Sequence, residues 1–106
     1  MKIVFEELRE KLLSLGADVK EVPKKQYVAY KAGTNFADLI FYQKEIRITL
    51  NLRSGGLNDP KSIATDFTKP PKGHWGNGDY EIIVRKADEI PYAMSLIEQS
   101  YRKSQQ

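Results

Sequence analysis

The 106-residue sequence has no cysteine and a single histidine. The first absence excludes thiol nucleophiles, disulfide frameworks, iron–sulfur clusters and thiolate zinc sites. The second leaves carboxylates as the material for any metal centre. No apolar run approaches the roughly 18 residues needed to cross a bilayer. Glu6, Glu7 and Glu10 stand where a secretory leader would carry a cation followed by an apolar stretch. A soluble, cytoplasmic protein with no membrane partner is therefore expected. No Gly-Lys-Ser/Thr follows a glycine-rich stretch, which excludes a Walker-type phosphate loop. Ser54, Ser62 and Ser95 stand in neither a nucleophile elbow nor a Ser-x-x-Lys context.

With 41% hydrophobic and 10% aromatic residues, the chain reads as one domain over 1–106, its tail from 103 to 106 expected to fray. A chain of this size buries roughly two-thirds of its unfolded surface, enough for a two-layer core. Its net charge of +3 is unevenly spread. Residues 20 to 72 hold ten cations and five acids, an excess of +5, while the remainder sums to −2. A clustered positive field favours a polyanionic partner even when the total charge is small. Ordinary solvation of a protein surface accounts for the same lysines.

Phe5, Leu8, Leu12 and Leu15 recur at helical spacing between charged residues, which predicts an amphipathic helix over 3–15 ended by Gly16. Lys24 to Lys31, rich in strand formers around Tyr27-Val28-Ala29-Tyr30, reads as a strand, as do Phe36 to Tyr42 and Ile46 to Arg53. In the last of these Ile46, Ile48, Leu50 and Leu52 alternate with Arg47, Thr49, Asn51 and Arg53, the period of a half-buried strand. Placing Leu39 and Phe41 on the same core face sets Leu39 opposite Leu50, Phe41 opposite Ile48, Tyr42 opposite Arg47, Ile40 opposite Thr49 and Asp38 opposite Asn51. A four-residue connection around Lys44-Glu45 suits a turn without Gly or Asn. Asp59-Pro60 predicts a short helix to about Asp66. A strand follows over Tyr80–Arg85, then a helix opened by Asp88 and Glu89 with Ile90, Ala93, Met94, Ile97 and Tyr101 as its apolar stripe. The expected fold is α+β: a two-layer sandwich, with a central antiparallel sheet of about four strands and the N- and C-terminal helices packed on one face.

Several runs carry a resemblance: Val22-Pro23-Lys24-Lys25 with Tyr27 to Lys31, Asn35-Phe36-Ala37-Asp38, Leu57-Asn58-Asp59-Pro60, Gly73-His74-Trp75-Gly76-Asn77-Gly78-Asp79-Tyr80-Glu81 and Met94 to Tyr101. Across nearly its whole length the chain resembles a bacterial and archaeal family of uncharacterised domains often labelled "predicted transport protein". The Lys69-Pro70-Pro71-Lys72 link is slightly longer here than is usual in that family. The resemblance implies a domain commonly placed at the carboxyl end of longer proteins, behind restriction-endonuclease-like or other nuclease-related modules of the kind found in defence systems. The transport label has no physical support in a sequence without a membrane segment.

Two regions are candidate sites. The glycine-rich loop offers His74, Trp75, Asn77 and Asp79 as ligand groups, since its glycines allow backbone N–H groups to approach an anion. The same loop also reads structurally, with the glycines shaping a tight entry to the strand, Trp75 mostly buried at one end of the core and His74 bonded to the backbone. The solvent face of the sheet offers Tyr42, Arg47 and Arg53, with Phe36, Asn51 and either Tyr27 or Tyr30, and the field of Lys24, Lys25 and Lys31. Rings interleaved with arginines stack bases and neutralise phosphates; strand propensity alone also places Tyr, Thr and Arg on such a face. The order Asp38, Glu45, Arg47 faintly resembles a nuclease Asp…Glu-x-Lys core, but a guanidinium does not surrender a proton near neutral pH, and Asp38 is expected to balance Arg47 or Arg53 instead. No catalytic residue, cofactor or metal is assigned. The expected function is a non-catalytic accessory domain that binds nucleic acid weakly, with DNA or RNA and a nuclease-type protein or fused domain as partners. The alternative is a protein–protein interaction or dimerisation module.

Overall fold

Helix α1 (Lys2–Leu13) turns Leu8 and Leu12 fully inward, with Val4, Phe5 and Leu13 partly buried beside them. Leu8 and Leu12 join a single apolar cluster with Ile90, Ala93, Leu96 and Ile97 of α2 (Ile90–Ser104). A 3-10 turn at Ala87–Glu89 precedes α2, and Pro91 falls in its first turn, where a missing N–H leaves no bond unmade. The computed structural model describes residues 2–68 and 78–105. Among these, six strands form one sheet: β1 (Lys20–Pro23), β2 (Val28–Ala32), β3 (Thr34–Phe41), β4 (Ile46–Leu50), β5 (Thr65–Asp66) and β6 (Tyr80–Val84). Their spatial order is β1-β2-β3-β4-β6-β5, and every neighbouring pair is antiparallel. The α+β class with an antiparallel sheet and two helices is as expected; the count of about four strands is corrected to six.

Both added strands lie at the edges. The stretch read as one strand from Lys24 to Lys31 supplies a turn and then β2, while β1 lies ahead of it in residues not expected to form a strand; the Lys24 N–H donates to the Tyr27 carbonyl across the turn at 2.7 Å. An edge strand of four residues ending in proline carries no apolar period from which to recognise it. The helix expected from Asp59 to Asp66 is absent. Ser62 has a φ of 53° there, outside the right-handed helical region, and the loop is organised by Asp59, whose carbonyl and carboxylate accept the Ser62 and Ala64 N–H groups. Its last residues form β5 against β6.

The β3–β4 register is shifted two residues from expectation: Ala37 faces Leu50, Asp38 faces Thr49, Leu39 faces Ile48, Ile40 faces Arg47 and Phe41 faces Ile46. The shift follows from the turn, which is centred one residue earlier than Lys44-Glu45, with the Tyr42 N–H donating to the Glu45 carbonyl at 2.9 Å. An even shift preserves faces, so Leu39, Ile48, Leu50 and Leu52 are buried as predicted. Phe41, expected in the core, is instead 41% exposed at the end of the sheet, edge-on to Phe5 at 4.8 Å. At the other end of β3 the β2 pairing slips by one residue between Tyr30 and Lys31. Phe36 is left without a partner in that register, and its ring packs into the core against Tyr101 at 5.3 Å. The buried Ser100 hydroxyl donates to the Phe36 carbonyl at 2.5 Å.

The register assigns Ala29, Asp38, Thr49, Glu81 and Thr65 to one row across the face opposite the helices. Ala29, Asp38 and Thr49 in this row are buried, so the expectation of an exposed Thr49 is corrected. Among the described residues no helix is long and apolar enough to cross a membrane.

Candidate nucleic-acid interface

Alternation places Tyr27, Ile40, Tyr42, Arg47 and Ile83 on the face opposite the helices, at the end where the β1–β2 and β3–β4 turns lie. Gln26, Tyr27, Ile40 and Tyr42 line a groove of about 210 Å³. Tyr42 is 45% exposed, and the Arg47 guanidinium lies over its ring, 4.6 Å from the centroid. Lys24 and Lys25 are exposed in the turn that delivers Tyr27, and Lys44 is exposed in the turn after Tyr42.

Arg47 is held from its other side. Its Nε donates to Glu45 Oε2 at 2.5 Å, and the other Glu45 oxygen pairs with Arg85 at 3.1 Å. The β4–β6 register explains this meeting, because continuing it one step past Ile46 and Val84 sets Glu45 across from Arg85. The Arg47 hydrogen bond, with the charges of both arginines, holds the Glu45 carboxyl below the usual carboxylate range, and Glu45 in turn raises Arg47. Arg85 was not among the residues singled out from the sequence. Its adjacency to Glu45 depends on a pairing between strands separated by some thirty residues of chain, which no local pattern reports.

The structure separates the other sequence candidates. Tyr42, Arg47, Lys24 and Lys25 lie toward one end of the sheet, whereas Lys31, opposite Lys20 and Asn35, and Arg53, beyond the end of β4, lie toward the other. Tyr30 and Phe36 are wholly buried in the core and leave the solvent face to Tyr27 and Tyr42. The expected balance of Asp38 against Arg47 or Arg53 is replaced: Arg47 pairs with Glu45, and Asp38 accepts from Asn35 Nδ2 at 3.0 Å. Asn51 Nδ2 in turn donates to the Asn35 carbonyl at 2.8 Å. Of the four loop candidates, His74, Trp75 and Asn77 lie outside the described residues. The Asp79 carboxylate accepts the Ser54 N–H at 2.8 Å and so ties two loops together.

A larger cavity, about 500 Å³, opens beside this site, with Ile83 and Arg85 on one wall and Lys61, Lys86 and Tyr92 around it. Lys61 Nζ lies 4.7 Å from the centroid of the Tyr92 ring, a second cation over an aromatic face. Asp88 and Glu89 also line it, and Glu89 Oε1 is taken by the Arg85 and Lys86 N–H groups.

Residues 1–104 match the family described as domain of unknown function DUF5655. The chain belongs to that family. A relative described as "Uncharacterized protein" from Haemophilus influenzae is 38% identical over 99 residues, covering 93% of this chain. Those residues are 32% of the relative, so this DUF5655 domain spans about a third of the length of the protein it matches. No solved structure gives a significant match.

Proposed function

We propose that this domain is a non-catalytic accessory module that holds nucleic acid weakly and with little sequence preference, in a nuclease or defence-system setting. The observation that carries the reading is the Arg47 guanidinium stacked on the exposed Tyr42 ring beside the Tyr27–Ile40 groove. A ring open to solvent offers a face to an unpaired base, and a guanidinium anchored beside it neutralises the adjoining phosphate. Lys24, Lys25 and Lys44 in the two flanking turns add a positive field at the same end of the sheet. The accessory character is supported by the relative, in which the matched residues are 32% of a longer protein. A docking surface made of Phe36, Ile40 and Tyr42 would favour protein interaction, but Phe36 is in the core and the three form no common patch.

The test is a titration of labelled single- and double-stranded oligonucleotides at low and moderate salt, with the wild type, Arg47→Ala and Tyr42→Ala. The reading expects binding that weakens with salt and with either substitution. Absence of binding at low salt, or indifference to both substitutions, would overturn it in favour of a protein-interaction module.

A further inference from the structure

The guanidinium of Arg47 in β4 and that of Arg85, the residue just after β6, converge on one carboxylate that belongs to a turn. Glu45 accepts Arg47 through one oxygen and Arg85 through the other, and its side chain is 14% exposed, against 39% for Arg47 and 57% for Arg85. Planar guanidiniums present forked donors that match a carboxylate or a phosphate equally well, and two of them around one oxyanion make a familiar phosphate-binding geometry. Arg47 is fixed in addition by the Tyr42 ring, so its fork does not depend on Glu45 alone for its direction. On the far side Arg85 borders the cavity of about 500 Å³ where Lys61 and Lys86 also stand, which leaves room for a strand to continue past the pair.

We infer that Arg47 and Arg85 form a two-arginine clamp for a phosphate oxyanion, and that the Glu45 carboxylate is its resident occupant, displaced when a phosphodiester enters. The inference deepens the nucleic-acid reading and rests on it for the identity of the ligand. It adds Arg85 as a binding residue and makes Glu45 a built-in competitor that lowers affinity. Glu45 leaves by rotation of its own side chain, so the turn that carries Tyr42 and the strands on either side keep their places.

The experiment compares wild type, Glu45→Gln, Arg85→Ala and the Glu45→Gln/Arg85→Ala double variant. A labelled oligothymidylate is followed by fluorescence anisotropy, and sodium pyrophosphate by the Arg47 Nε–Hε resonance. Removing one competing charge at this range should tighten oligonucleotide binding by about fivefold in Glu45→Gln. Arg85→Ala should weaken binding in the native background and cancel the gain in the double variant. Unchanged or weaker binding by Glu45→Gln, or a gain that survives loss of Arg85, overturns the clamp. If oligothymidylate binds no variant while pyrophosphate shifts Arg47 in Glu45→Gln but not in the double variant, the clamp stands for free phosphates and the nucleic-acid reading falls. If neither probe responds in any variant, both are overturned.

Discussion

The Tyr30 hydroxyl donates to Glu21 Oε2 at 2.5 Å, and the same oxygen accepts Arg9 Nε at 2.7 Å, so one carboxylate joins β2, β1 and α1. Tyr30 has no exposed surface, and its burial together with the Glu21 hydrogen bond pushes the phenol far above its ordinary range. Tyr30→Phe keeps the ring and removes the donor. Chemical denaturation should show a loss of about 1.5–3 kcal/mol, the range of a hydrogen bond to a charged partner.

Glu21 also sets a pH dependence. The Arg9 hydrogen bond, aided by Tyr30, holds its carboxyl below the usual range, and the backbone N–H groups of Arg85 and Lys86 do the same for Glu89. A carboxyl whose folded pKa is depressed contributes stability above its unfolded pKa, and loses it as pH falls through the folded value. Denaturation midpoints should therefore be flat from neutral pH down to about 4.5 and fall below it. Glu21→Gln should shrink that fall. An unchanged acid limb in the variant would show that Glu21 has no part in it.

Gly78 and Gly33 both have left-handed φ angles, 96° and 83°, but only one is also crowded. A Cβ on Gly78 would lie 2.0 Å from the Leu50 carbonyl oxygen, while one on Gly33 meets nothing within 4 Å. Gly33→Ala should cost about 1–2 kcal/mol from the backbone angle alone. Gly78→Ala adds a collision with β4 backbone and should cost roughly 3–5 kcal/mol. Thermal melts of the two variants, measured side by side, check the order.

The observed register separates Leu39 from Phe41. Leu39 is wholly buried opposite Ile48, and Leu39→Ala should destabilise by about 2–5 kcal/mol. Phe41 meets Phe5 edge-on at a partly open end, and Phe41→Ala should lose about 1 kcal/mol. Equal losses would mean that Phe41 belongs to the core after all.

Salt dependence tests the proposed nucleic-acid interface. Four phosphate contacts on double-stranded DNA predict a slope of log K against log salt of roughly −3.6, and removing the Arg47 charge should reduce it by about 0.9. Tyr42→Ala should weaken single-stranded binding more than double-stranded, by about 1–3 kcal/mol for a stacked base. Filter binding or anisotropy across a salt series reads both effects.

Ile46, Ile48 and Leu50, alternating with Arg47 and Thr49, determined by sequence alone which residues of β4 face the helices, because alternation in a strand leaves a single choice of face. The helical spacing of Leu8 and Leu12, and of Ile90, Ala93 and Ile97, likewise marked the two helices and their buried sides. Tyr42 and Arg47 were legible as an aromatic and a cation on the open face. Alternation is blind to a slip of two, however, so the β3–β4 register was decided by the Tyr42–Glu45 turn bond and by what the rest of the sheet would accept. Edge strands of four and two residues are too short to show a period, and β1 and β5 exist because a longer neighbour presents them with unpaired backbone. The burial of Asp38 and Thr49, and the meeting of Glu45 with Arg85, arise from rows that run across strands far apart in the chain. Sequence order carries the period along each strand, and only the assembled sheet sets which strands lie side by side.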